Sequence, residues 1–124
     1  MTNLFFVAAG GALGASLRYL TSISFKYFFF YSFVGTLVVN ILGSFLIGLF
    51  IYLVQNKNLS QDVIRYFFII GVLGSYTTFS AFSFETIELL TNNKLLLSFI
   101  YIILSVVLCL IAAYFGLNIN NILN

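Results

Sequence analysis

The chain has 124 residues, 62% of them hydrophobic and only 6% charged, and it includes sixteen Phe and eight Tyr. A water-soluble domain carries about a quarter charged residues, so this composition belongs in lipid, and the length suits one membrane domain over residues 1–124. The formal charge of +2 is too small to attract nucleic acid, the absence of His removes the usual metal ligand and general base, and one cysteine leaves no intrachain disulfide.

A helix needs about 20 apolar residues to cross the hydrocarbon core. Four runs meet that length: residues 4–25, 33–54, 63–90 and 95–117. The connections KYFFFYS, QNKNLSQD and TNNK are short, and the tail NINNILN is polar. The fold class is therefore all-α, with four transmembrane helices and no Pro to kink any of them.

The first run opens MTNLFFVAAGGALGASLRY, with no basic stretch ahead of its apolar part, and reads as a retained span rather than a cleaved signal. Gly10 and Gly14 form a small-xxx-small pair that lets helices approach closely. Arg18 lies well inside the run, where insertion of a cation costs roughly 2.5–3.5 kcal/mol. It snorkels to the interface, pairs with a carboxylate, or supports a field that favours anions.

In the second run, GTLVVNILGSFLIG, the residues Thr36, Asn40 and Ser44 recur every fourth position and share one helix face. A mid-span amide such as Asn40 serves either as an interhelical hydrogen-bond clamp or as a neutral donor facing a pore. Spacing alone leaves both readings open.

The third run contains GVLGSYTTFSAF, two glycines and a cluster of hydroxyls at membrane depth. Gly71, Gly74 and the Thr77-Thr78 pair are poor helix formers. A break here would free carbonyl oxygens suited to a hard cation, and non-helical backbone survives at this depth only where protein or a wet cavity satisfies it. Phe79 and Phe82 follow at i, i+3, and their electropositive ring edges can face an anion without adding charge. The competing reading is a glycine hinge beside core aromatics. Glu85 is on the same face as Phe82, while Glu88 is near the end of the run and solvated.

The fourth run carries Ser98, Tyr101, Ser105 and Cys109 at i, i+3, i+4 spacing. These make a second polar stripe, in which Cys109 counts as a small hydrophobe. The basic residues split almost evenly between the two membrane sides. Lys57 and Arg65 fall with the termini, Lys26 and Lys94 fall opposite, and Arg18 leans towards the Lys26 side. The split is either a weak topology signal or the mark of a chain that inserts both ways up and pairs as an antiparallel homodimer.

GGALGASLRY, GTLVVNILGSFLIG and GVLGSYTTFSAF, in this order in a four-span chain, resemble the Fluc (CrcB) family of fluoride channels over nearly the whole length. The resemblance implies a dual-topology homodimer in the bacterial cell membrane, with the third helix broken at its motif. It implies a structural, untransported sodium ion held by backbone carbonyls of Gly74 and Thr77 from each subunit. It implies two pores lined by Asn40, the ring edges of Phe79 and Phe82, and the hydroxyls of Tyr101 and Ser105. Thr36 and Glu85 would stand towards the far end, and Arg18 near the entrance. Many relatives read TTFSTF where this chain has TTFSAF, so Ala81 stands where a further hydroxyl is usual. Passive export of fluoride would follow, with no enzymatic step. Two other readings remain at this stage. One is a small dual-topology, proton-coupled multidrug exporter, although such proteins use a carboxylate in the first helix and this chain has none there. The other is a non-transporting helical subunit of a larger assembly.

Overall fold

A computed structural model describes residues 1–55 and 61–123, and Lys57 of the second connection lies outside them. Every described element is helical. Helix α1 (Thr2–Phe29) turns at Phe30 into α2 (Ser32–Gln55). A π-helical segment (Val63–Leu73) leads into a single turn, α3 (Gly74–Tyr76), and then into α4 (Phe79–Thr91). Helix α5 (Leu95–Leu117) and the short α6 (Ile119–Leu123) complete the order. Four spans, at residues 2–29, 32–55, 63–91 and 95–117, are long and apolar enough to cross a bilayer.

The first connection is shorter than the sequence suggests, because the aromatic residues of KYFFFYS extend α1 through Phe29. Aromatic side chains are at home at the membrane interface and need no polar loop. The chain reverses at Phe30, whose φ of 60° is left-handed, while its N–H caps the Lys26 carbonyl. Lys94 sits over the Tyr31 ring, 5.2 Å from its centroid, and ties this turn to the one before α5.

Close packing rests on glycine rows. A Cβ on Gly10 would strike the Phe67 carbonyl oxygen, and one on Gly14 the Val72 carbonyl oxygen, so α1 lies backbone to backbone against the π-helical segment. On the other side of the bundle, Gly48 of α2 meets the Ala113 carbonyl of α5, and Gly116 of α5 meets the Phe45 carbonyl of α2. Lipid tails are as apolar as the side chains they surround, so this contact, rather than hydrophobic burial, holds the spans together. No residue type in VIRYFFIIGVL accounts for its π winding.

α1 and the third span run side by side in the same direction. Gly14 touches Val72, and Thr21 Oγ1 lies 3.3 Å from the Tyr76 hydroxyl. Arg18, half-buried between them on α1, is therefore level with the turn α3.

Candidate functional site

The site grows from two residues that are not helical. Thr77 (φ −75°, ψ 155°) and Thr78 (φ −152°, ψ 118°) are extended between α3 and α4. Asn40 of α2 meets this stretch with both ends of its amide. Its Oδ1 accepts from the Thr78 N–H at 2.8 Å, and its Nδ2 donates to the Thr78 carbonyl at 3.0 Å. Thr78 then caps α4 by accepting from the Ala81 N–H at 3.2 Å. One side chain has thus replaced the helical partners that an extended residue gives up, as a backbone at this depth requires. Gly43, three residues along α2, is small because any Cβ there would collide with the Thr77 methyl group.

This clamp has a consequence for the carbonyls just before it. In a continuous helix the Thr78 N–H would bond the Gly74 carbonyl, but here it is turned to Asn40. Among the described residues no backbone N–H donates to the Thr77 carbonyl. Gly74 is exposed on the protomer surface. Both carbonyls therefore keep acceptor capacity of the kind a hard cation uses. No cluster of His, Cys, Asp or Glu among the described residues is suited to a metal. Two oxygens from one chain fall short of the six or so that such cations take, so a bound ion would need further oxygens from elsewhere.

Beside the clamp lies a cavity of about 360 Å³. Its polar lining consists of Asn40, Ser44, Thr77, Thr78, Ser105 and Cys109, all uncharged, and the rings of Phe79 and Phe82 form part of its wall. The two rings are 5.3 Å apart at 47°. Their settings differ: Phe82 is 9% exposed, whereas Phe79 is 77% exposed on the protomer surface.

A second polar cluster lies behind Phe82. Its ring packs 5.2 Å from that of Tyr101, which packs at the same distance against Phe33. The Tyr101 hydroxyl donates to Glu85 Oε2 at 2.9 Å, and the Thr36 hydroxyl donates to Glu85 Oε1 at 2.9 Å. All three residues are buried. A buried carboxylate is costly without hydrogen bonds, and here each oxygen has one.

The expected site residues thus fall into separate groups. Asn40, Phe79, Phe82, Ser105 and Thr77 share the cavity. Thr36, Glu85 and Tyr101 form the buried cluster next to it. Gly74 is exposed just before the extended Thr77–Thr78 stretch, and Arg18 is on α1 at the same level.

A family model described as "CrcB-like protein, Camphor Resistance (CrcB)" matches residues 5–117 of this sequence. The chain belongs to the CrcB family. CrcB relatives named fluoride-specific ion channel FluC are similar along almost their full length. The one from Flavobacterium psychrophilum is 45% identical over 118 residues, covering 94% of this chain and 95% of its own. The one from Shewanella halifaxensis is 44% identical over 117 residues, covering 94% of each. The FluC 3 of Methanosarcina barkeri is 38% identical over 116 residues, covering 94% of this chain and 88% of its own. With its four apolar spans, this CrcB chain is a multi-pass membrane protein.

Sequence reading marks Thr78 as a weak helix former, Ser44 as a neighbour of Asn40 and Cys109 as part of a stripe, but assigns none of the three to the site. Thr78 is at the centre of the clamp through its backbone, and backbone roles leave little trace in residue type. Cys109, read as a small hydrophobe, lines the cavity beside Val106 and Leu110. Its position four residues after Ser105 was the available signal.

Proposed function

We propose that the protein is a fluoride-specific channel that lets the ion leave the cell passively. The observation that carries this reading is the uncharged cavity beside the Asn40–Thr78 clamp. Fluoride is a small anion and a strong hydrogen-bond acceptor, so a path that strips its water must return hydrogen bonds at once. Asn40 donates one amide N–H to Thr78 and retains a second. With the hydroxyls of the lining it offers neutral donors, which admit an anion without holding it too tightly to leave. Electropositive edges of Phe79 and Phe82 would add contact and narrow the way. Larger halides accept hydrogen bonds more weakly and would recover less of their lost hydration.

Thr36, Tyr101 and Glu85 form the far end of the path in this reading. Both hydroxyls donate to Glu85, so an ion passing there must draw the Thr36 or Tyr101 hydroxyl away from it. Arg18 faces the wide entrance and contributes a positive field at the level of the break.

The broken third helix is the structural device of the channel, and two copies pair antiparallel with their breaks at the dimer axis. The exposed Gly74 and the unpaired capacity at Thr77 support that pairing. Carbonyls of Gly74 and Thr77 from each copy would hold a sodium ion there, whose fixed positive charge offsets part of the cost of bringing an anion into low dielectric.

Efflux of fluoride from proteoliposomes, followed with a fluoride electrode, tests the function. Rapid loss of fluoride, with chloride retained, is the expected result, and no efflux above empty liposomes overturns it. The buried Glu85 is the one observation favouring a proton-coupled exporter. Proton-driven uptake of a lipophilic cation by the same vesicles would support that reading instead.

A further inference from the structure

Cys109 is the chain's one cysteine. It stands four residues after Ser105 and eight after Tyr101 on α5, so the three follow one face of the helix. It is a free thiol, partly exposed, and it borders the same cavity as Asn40, Thr77 and Phe82. One turn away, Ser105 also lines the cavity. That serine is 7% exposed, and its Oγ has no hydrogen-bond partner.

The unpartnered hydroxyl is informative. Ser16, Ser24 and Ser83 bond back to the carbonyls of Ala12, Leu20 and Phe79, and the buried Ser98, on α5 with Ser105, donates to the Thr86 carbonyl of α4. Leaving a buried hydroxyl unpaired costs about 1–3 kcal/mol. A hydrogen-bonding occupant in the cavity removes that cost. The wall carrying Cys109 thus holds a hydroxyl with unused hydrogen-bonding capacity, and a solute that enters the cavity meets the thiol.

We infer that Cys109 is a modification site inside the ion path, open to small thiol-exchanging electrophiles such as disulfides and thiosulfonates, and that the mixed disulfide formed there stops conduction. The blocking part rests on the fluoride reading given above. With a thiosulfonate, the Cys109 thiol gives its proton to water and the thiolate sulfur attacks the sulfenyl sulfur of the reagent. A new S–S bond forms while the S–SO2 bond breaks, and the sulfinate leaves with the electron pair. The reagent is the oxidant, so nothing further is required. In a reducing cytosol the thiol stays free and the path stays open. Electrophilic thiol stress closes it.

Methyl methanethiosulfonate on the reconstituted wild-type protein tests this, with fluoride efflux and mass spectrometry of the Cys109 peptide read on the same sample. The expected result is a methylthio adduct on Cys109 and efflux reduced by about tenfold or more, as a plugged constriction requires. Dithiothreitol restores both. Cys109→Ser, with its efflux normalised to its own rate before the reagent, shows no response. Complete labelling with unchanged efflux overturns the inference and leaves the fluoride reading standing. So does a Cys109 that labels only after unfolding in detergent. No fluoride efflux before the reagent is added overturns the proposed function and the block together.

Discussion

Asn40 has its position fixed by what it touches. Its amide serves the Thr78 backbone as both acceptor and donor, which is the clamp, and the proposed pore donor is the N–H that the clamp leaves over. Asn40→Asp keeps the acceptor for the Thr78 N–H, loses the donor to the Thr78 carbonyl, and adds a charge that repels an anion. Fluoride efflux should fall to the level of empty liposomes, and a variant that keeps the wild-type rate would remove Asn40 from the path. The two phenylalanines separate in a different way. Phe82 is buried against Tyr101, so Phe82→Ala opens a void and lowers stability by about 3 kcal/mol or more. Phe79 is largely exposed on the protomer, so Phe79→Ala leaves protomer stability nearly unchanged while slowing efflux. Thermal melting in detergent beside efflux distinguishes the two, and equal melting shifts would count against this assignment.

At the scale of elements, glycines carry opposite kinds of demand. A Cβ at Gly14 would lie 2.8 Å from the Val72 carbonyl carbon and 3.0 Å from its Cα, and backbone atoms do not swing aside as side chains do. Gly14→Ala should cost about 1–3 kcal/mol through overpacking between α1 and the π-helical segment. At Gly74 the nearest atom to an added Cβ is the Ile69 oxygen at 3.6 Å, an ordinary contact, and φ is −62°. Nothing within the protomer requires glycine there. Gly74→Ala should therefore melt like the wild type as a monomer but weaken pairing of two copies, as seen by cross-linking at low detergent. A variant that pairs normally would place Gly74 outside the interface. The four spans were legible because apolar runs of membrane length leave no other fold, and α5 begins and ends where its sequence run does. The helix-poor composition of GVLGSYTTFSAF marked where regular structure weakens. What held the extended residues was not legible. The partners Asn40 and Thr78 are 38 residues apart, and Thr36 and Glu85 are 49 apart. Such pairs depend on how adjacent helices are rotated, which periodicity within one helix does not fix. The π winding over Val63–Leu73 has no signature in its residues.

For the whole molecule, the decisive feature is an outer face that lipid alone does not satisfy. Around the extended Thr77–Thr78 stretch, Gly74, Phe79 and Ser80 are exposed on a single protomer, next to carbonyls whose helical partners have been diverted. Hydrocarbon offers such groups no hydrogen bonds, so protein or water must cover them. A second copy related by a twofold axis in the membrane plane would bring the same face against itself and double the carbonyl count at one point. That arrangement requires each chain to insert in either direction, and the near-even division of Lys and Arg about the membrane permits it. An N-terminal tag with a protease site is then accessible from outside in roughly half the copies of sealed spheroplasts, as balanced loop charge predicts. Adding two lysines to the turn at Phe30–Tyr31 should drive nearly all copies to one orientation and remove fluoride efflux. Mixing that variant with one biased the opposite way should restore efflux. Full protection or full cleavage of the tag on the unaltered chain, with efflux intact, would instead require a parallel assembly and a different cover for the break.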